Sequence, residues 1–465
     1  MERRTFLKIL SSAGIVSLVS PTFAMEVCKN KVSKSSSALL ESAFRNPPFS
    51  SGVYTWWHWM NGNITKDGIT RDLEAMKANG IAGYQLFEAG SGIPIGPVES
   101  LSDEWVDLIL HTLKESERLG LEFAMHNCPG WSSSGGPWIT PDKAMQIITW
   151  SETKITGGKQ VRIQLPTPKH MFDYYIDTYC LAIPANMKVI PRLSILELSN
   201  RLDKDGVLTW DVPTGEWLIM RFGQTAKDQK NKSAPSKSTG LDCDKFSTEA
   251  LDYHLNCMFK RLMPTMEKIA KHSKIGLLID SYETGDQDWT SDMPAYFEQS
   301  HGYELYPFLP VLANKIVESE ESTKRFLFDF RRVRADMFAE RYYGHFQKRC
   351  KEKGIITYTE PYGGNMMEEL QVAQQLDINM GEFWCGQTVL WANYKYNRTV
   401  KQVASIAHTL GGKVVGAEAF TSEPDADKWL QYPYALKSLG DYMFTRGLSR
   451  IYFHRFAHQP HPTAA

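Results

Sequence analysis

Eight short apolar runs, beginning near residues 53, 81, 121, 275, 355, 378, 413 and 450, recur along this chain, mostly with helical periodicity between them. No other feature restricts the fold as strongly. A strand, a helix and a returning strand close as a right-handed parallel unit, and eight such units make a barrel. The first unit shows the pattern: residues 53–59 read as an aromatic strand, and Thr65 is a fair N-cap for an amphipathic run over 66–78. Ile69, Leu73 and Met76 share one face of that run, Asn79-Gly80 ends it, and 81–87 is the next strand. A helix over 102–119 and a strand over 121–125 repeat the unit. The sequence therefore predicts a (β/α)8 barrel. A doubly wound sheet is the alternative, weakened because no GxGxxG or GxxxxGK(S/T) pattern follows the first strand.

The rhythm breaks once. From about 149 to 223 the chain turns to short alternating runs such as Val161-Arg162-Ile163-Gln164-Leu165, which read as an all-β module inserted after strand three. Its end, 227–240, is rich in Lys and Ser and reads as a solvated loop. The expected organisation is an export signal over 1–24, a flexible lead-in over 25–43, the first part of the barrel over 44–148, the module and its loop over 149–240, and the second part of the barrel over 241–465. The chain stops just past the eighth strand, so the expectation is a barrel without its last helix, either a fragment or a barrel of unusual closure.

The signal reading rests on Arg3-Arg4-Thr5-Phe6-Leu7-Lys8, an apolar run over 9–19 and small residues before Ala24. This order resembles the twin-arginine type and predicts a periplasmic or extracellular protein. No later run is long enough to span a membrane. Lys plus Arg (52) nearly cancels Asp plus Glu (53), which gives no support to a nucleic-acid partner. Seven cysteines without a CxxC pair argue against a zinc site, and Cys243 and Cys257 are read as free thiols. Thirteen Trp and 20 Tyr suit sugar stacking as well as packing.

In such a barrel the active site lies at the C-terminal ends of the strands, where this chain concentrates its polar residues. Strand one ends at His58 and Asn61, and strand three at His126 and Asn127, followed by Trp131. Strand four runs into Asp280-Ser281-Tyr282-Glu283, strand five ends at Glu360, six at Glu382, seven at Glu418, and eight at His454 and His458. Four glutamates then face one bowl, and a carboxylate pair there suits glycoside hydrolysis, where one protonates the leaving oxygen and the other activates water or attacks carbon. Asp280 is read as structural, Asp286 and Asp288 as turn-formers or ligands, and Glu423 and Asp425 as helix caps.

Four motifs carry a resemblance: Trp56-Trp57-His58-Trp59-Met60-Asn61-Gly62-Asn63-Ile64-Thr65, the stretch from Cys128-Pro129-Gly130-Trp131-Ser132 to Trp138, Asp280-Ser281-Tyr282-Glu283, and Glu418-Ala419-Phe420-Thr421. Together they resemble glycoside hydrolase family 106, the α-L-rhamnosidases. The resemblance implies a calcium-assisted, inverting exo-hydrolase that removes terminal α-L-rhamnose from pectin-type plant glycans. It implies Glu283 as general acid and Glu418 as general base, with Glu382 as a calcium or substrate ligand. His58, Asn61, His126, Asn127, Trp131, Glu360 and His454 are the remaining expected sugar contacts. A raised pKa is expected for Glu283 and an ionised state for Glu418. The alternatives are a non-catalytic glycan-binding remnant and a barrel glycosidase of other sugar specificity.

Overall fold

The computed structural model describes residues 34–132, 134–385, 390–412, 414–422 and 428–462. The export signal, Cys28, Glu423 and Asp425 lie outside these. Two compact units are distinguished, 1–52 and 53–465. In the first, Lys34–Arg45 forms a helix whose Arg45 pairs with Glu41 one turn earlier at 3.0 Å. Residues 34–43 are thus helical rather than the flexible lead-in expected of them.

The second unit is built on a closed barrel of eight parallel strands: β1 (Val53–Met60), β2 (Ile81–Ala89), β3 (Glu122–His126), β4 (Ile275–Ile279), β5 (Ile356–Thr359), β6 (Ile378–Cys385), β7 (Val415–Ser422) and β8 (Arg450–Ala457). The sheet closes because β1 pairs with both β2 and β8. That closure excludes the doubly wound alternative. Helix signals operate as expected in the first units: Thr65 accepts from the Gly68 amide ahead of Lys66–Ala78, and Ser102 accepts from the Trp105 amide ahead of Asp103–Leu119.

Strand periodicity decides what each residue faces. In β1, Trp57 and Trp59 turn outward; Trp57 donates to Asp72 of the following helix at 3.0 Å, and both join the core between barrel and helices. Tyr54 and Trp56 turn inward and pack with Leu278, Tyr358, Met380 and Tyr452. One step further toward the strand ends, the inward positions become polar. Apolar packing closes the barrel below, and a bowl opens above it.

Between β3 and β4 the chain builds the inserted strands, beginning at Gln146. Strand Glu216–Ala226 lies antiparallel between Gln146–Thr156 and Ile176–Pro184, and Lys159–Gln164 pairs with Val207–Val212. The segment after this module, 227–240, is not the solvated loop expected from its composition. It is a strap over the loops of three barrel strands. Ser233 O accepts from the Gly90 amide, Lys232 O from the Trp131 amide, and Gln229 Oε1 from the Gly285 amide, while Asn231 Nδ2 donates to Pro129 O. Its lysines carry the polarity, and its backbone carries the docking.

Candidate active site

The bowl holds a cleft of about 340 Å³ at the C-terminal ends of the strands. Each wall follows from the alternation already described. Along β6, Ile378 and Met380 pack inside the barrel, so Glu382 and Trp384 continue the same ladder into the cleft. Glu418 of β7 stands in register with Glu382, and Tyr452 beneath the cleft is the β8 partner of Glu418. In β4 the inward ladder is Leu278 and then Asp280. Asp280 therefore lines the cleft and is buried among carboxylates, which corrects its reading as a structural residue turned away. Glu283 reaches the same cleft from the turn beyond the strand.

Four of the carboxylates accept a hydrogen bond from a neighbour. Thr421 Oγ1 donates to Glu418, Trp384 Nε1 to Glu382, and Tyr362 OH to Glu360 at 2.6 Å, and the Ser281 amide donates to Asp280 at 2.9 Å. Glu360 Oε1 is buried without a hydrogen-bond partner. Burial, reinforced by mutual repulsion, pushes all four toward protonation. Asp280 and Glu360 are raised well above the usual carboxylate range, Glu382 to about 8 and Glu418 to about 7. For Glu418, the charge of Glu283 adds to the burial effect, while Thr421 and the Arg455 guanidinium oppose it. Desolvation of its side chain thus works against the ionised state expected of Glu418. Glu283 is less buried than these four: its side chain is 39% exposed and pairs with Lys232 at 2.7 Å.

The opposite wall is aromatic. His58 stacks on Phe87 at 4.9 Å, Phe87 lies 6.2 Å from Trp131 in a stacked arrangement, and His454 meets His58 edge-on at 5.4 Å. Burial holds both imidazoles below their ordinary range, His454 at about 4, so they offer neutral faces and ring nitrogens to a ligand.

Of the residues expected here, His58, Trp131, Glu283, Glu360, Glu382, Glu418 and His454 line the cleft. Three do not. Asn61, in a left-handed conformation at φ 49°, donates to Ile93 O at 2.6 Å and shapes the loop after β2. Asn127 donates to Leu278 O at 3.0 Å, and His254 contacts its amide oxygen at 3.2 Å. His126 is turned to Cys128 O at 2.8 Å, with its other nitrogen 3.7 Å from Asp280, so it sits behind the carboxylates. These are polar residues at strand ends spent on the loops that shape the bowl. Phe87, Asp280, Trp384, Thr421 and Arg455 were not expected in the cleft and line it. Stepping the alternation of β2, β4 and β6 outward from their buried residues identifies the first three; Thr421 ends one of the four motifs, but it and Arg455 follow register breaks, so alternation does not reveal that they face the cleft.

The loop bearing Trp131 is fixed from beneath. Asp242 accepts from Ser132 at 2.9 Å and Ser134 at 2.6 Å, and the fully buried Lys245 pairs with Asp242. From above, the strap meets Gly130, whose φ is 81° and whose added Cβ would stand 2.0 Å from Lys232 O. Only a residue without a side chain allows both that conformation and that approach. Gly130→Ala is expected to cost about 1–3 kcal/mol and to lower the melting temperature by a few degrees. Calorimetry checks this, and a melting temperature equal to that of the unmodified protein would show that the strap is not anchored there.

A closed parallel barrel whose strand ends bring carboxylates and aromatic faces to one open cleft has the site architecture of glycoside hydrolases. The chain belongs to glycoside hydrolase family 106, described as alpha-L-rhamnosidase, whose profile matches residues 45–175 and 169–464. It is 41% identical to a Formosa agariphila protein named "Putative beta-glucuronidase", over 90% of this chain and 38% of that one. Its fold matches the rhamnosidase of Novosphingobium sp. PP1Y with a TM-score of 0.82 at 25% identity, covering 91% of this chain and 56% of that structure. The chain thus spans well under two thirds of either relative.

Proposed function

We propose that this barrel carries the active site of a glycoside hydrolase that removes terminal α-L-rhamnose from plant polysaccharides such as pectin-type glycans, acting from the chain end with inversion. The observation that carries the reading is that Glu283 and Glu418, arriving from β4 and β7, face one open cleft walled by aromatic side chains. In this scheme Glu283 gives its proton to the glycosidic oxygen as the bond to the anomeric carbon breaks. Glu418, oriented by Thr421, takes a proton from the water that attacks the opposite face. His58, Trp131 and His454 offer the flat surfaces on which the sugar ring rests. Such polysaccharides are met outside the cytoplasm, in keeping with the export sequence read at 1–24. Among the described residues no helix is long and apolar enough to cross a membrane.

The donor set also suits calcium. Glu360 and Glu382 are oxygen donors crowded by like charges, and Glu360 Oε1 lacks a partner. Among the described residues no three His, Cys, Asp or Glu side chains form a metal-holding group by themselves. Two carboxylates completed by water and vicinal sugar hydroxyls fit calcium's flexible shell. When bound, the ion would neutralise the bowl and hold those hydroxyls.

A second reading is a glucuronidase, favoured by the relative's name and by Arg455, a cation lining the cleft that suits a uronate carboxylate. Both readings meet one test, a panel of nitrophenyl glycosides assayed with chelator and then with calcium restored. Release from the α-L-rhamnoside, lost on chelation and recovered on add-back, is the expected result. Release from the β-glucuronide alone would overturn the rhamnosidase reading, and turnover indifferent to chelator would remove calcium from the mechanism.

A further inference from the structure

We propose that Lys232 recognises an anionic group, a carboxylate or a sulfate ester, on the leaving-group side of the substrate, exchanging its ion pair with Glu283 for that anion. The inference rests on the reading of Glu283 as general acid, because the acid stands beside the glycosidic oxygen and its lysine partner therefore stands on the departing side.

Three observations carry it. First, the Lys232–Glu283 pair, at 2.7 Å with side chains 52% and 39% exposed, is of the kind that contributes little and exchanges readily. Second, the backbone of Lys232 is fixed while its side chain is half exposed: its carbonyl accepts from the Trp131 amide at 3.1 Å and packs against Gly130. Third, Glu283 lines the cleft together with the uncharged rings of His58, Phe87 and Trp131, so the Lys232 ammonium group, 2.7 Å from Glu283, stands at the edge of the same cleft. While the pair holds, Glu283 Oε2 is engaged by the Lys232 ammonium group. A substrate anion that draws Lys232 away would leave Glu283 facing the glycosidic oxygen without its cation. Recognition of the leaving group and release of the acid are then the same event.

The test compares rhamnosyl disaccharides whose leaving sugar is a neutral hexose, a uronic acid or a sulfated hexose, with the unmodified protein, Lys232→Met and Lys232→Arg. The expected result is a preference in kcat/KM of about tenfold or more for a charged leaving sugar, lost in Lys232→Met and retained in Lys232→Arg. The uronic acid and sulfate arms tell which anion is read. No preference in the unmodified protein would overturn the proposal. So would an equal loss on all three substrates in Lys232→Met, which would leave Lys232 as an orienting partner of Glu283. Calorimetric titration with glucuronate, glucose 6-sulfate and glucose reads the same point without turnover. If the nitrophenyl rhamnoside is not hydrolysed, the rhamnosidase reading fails separately, while anion binding that does not depend on Lys232 still overturns this one.

Discussion

Glu418→Gln is expected to lower kcat on a nitrophenyl α-L-rhamnoside by about a thousandfold or more, within the range that a positioned general base contributes. The amide keeps the size of the side chain and can still accept from Thr421, so the fold is retained and the loss falls on proton transfer. Glu283→Gln separates the two roles. With a poor leaving group its loss should be comparable, but with a dinitrophenyl leaving group, which departs without a proton, most of the rate should return. Glu418→Gln should gain little from that change, because attack by water still lacks its base. The pH profile adds a second check: burial raises Glu418 to about 7, so activity limited by this base should climb as pH passes through neutrality. Recovery of Glu418→Gln on the activated substrate, with none for Glu283→Gln, would exchange the two assignments. Proton NMR of the first-formed anomer tests inversion independently.

The barrel was legible because its signal is repeated and local. Apolar runs flanked by capped amphipathic helices need no tertiary information, and the observed strands begin at 53, 81, 122, 275, 356, 378, 415 and 450, within two residues of the positions expected. Helices whose boundaries depend on packing were read less well. The segment before β4 divides into Thr248–Phe259 and Met263–Ala270, with Pro264 in the first turn of the second, where proline is tolerated. The helical region before β5 comprises Glu320–Met337, a wider turn at Phe338–Gly344 and His345–Lys351, a change that periodicity does not signal.

The site was legible where a residue's facing is set by strand alternation, as for Glu382 and Glu418. It was misread where a polar residue at a strand end had two possible uses. Asn61 and Asn127 are as polar as any sugar ligand, yet their amides are taken by Ile93 O and Leu278 O. Asp280 was discounted although Leu278, two residues earlier, points into the barrel. The strap was the largest omission, since a Lys/Ser-rich composition describes its exposed side chains and says nothing of the carbonyls docked on the loops after β2 and β3.

Stability should fall as pH rises from about 5 to about 8 in the presence of chelator, by an amount on the order of a few kcal/mol. In the folded protein Asp280, Glu360, Glu382 and Glu418 all lie above their ordinary values, the latter two at about 8 and about 7. Over that window the native state therefore binds more protons than the unfolded chain, and the slope of unfolding free energy against pH is negative. The contribution is fully present below about 4.5, the unfolded value of a glutamate, and is lost as pH passes through 7 to 8. Glu382→Gln removes one titrating group while still accepting from Trp384, so its melting temperature should decline less steeply across the same window. Calcium added at pH 8 should recover part of the loss in the unmodified protein and less in the variant, because the ion supplies the positive charge that protons supply at pH 5. Parallel slopes for the two proteins would mean that the carboxylates of the bowl are relieved by water rather than by protons, and the crowding of charge would then be a property of the catalytic cleft without a thermodynamic cost to the fold.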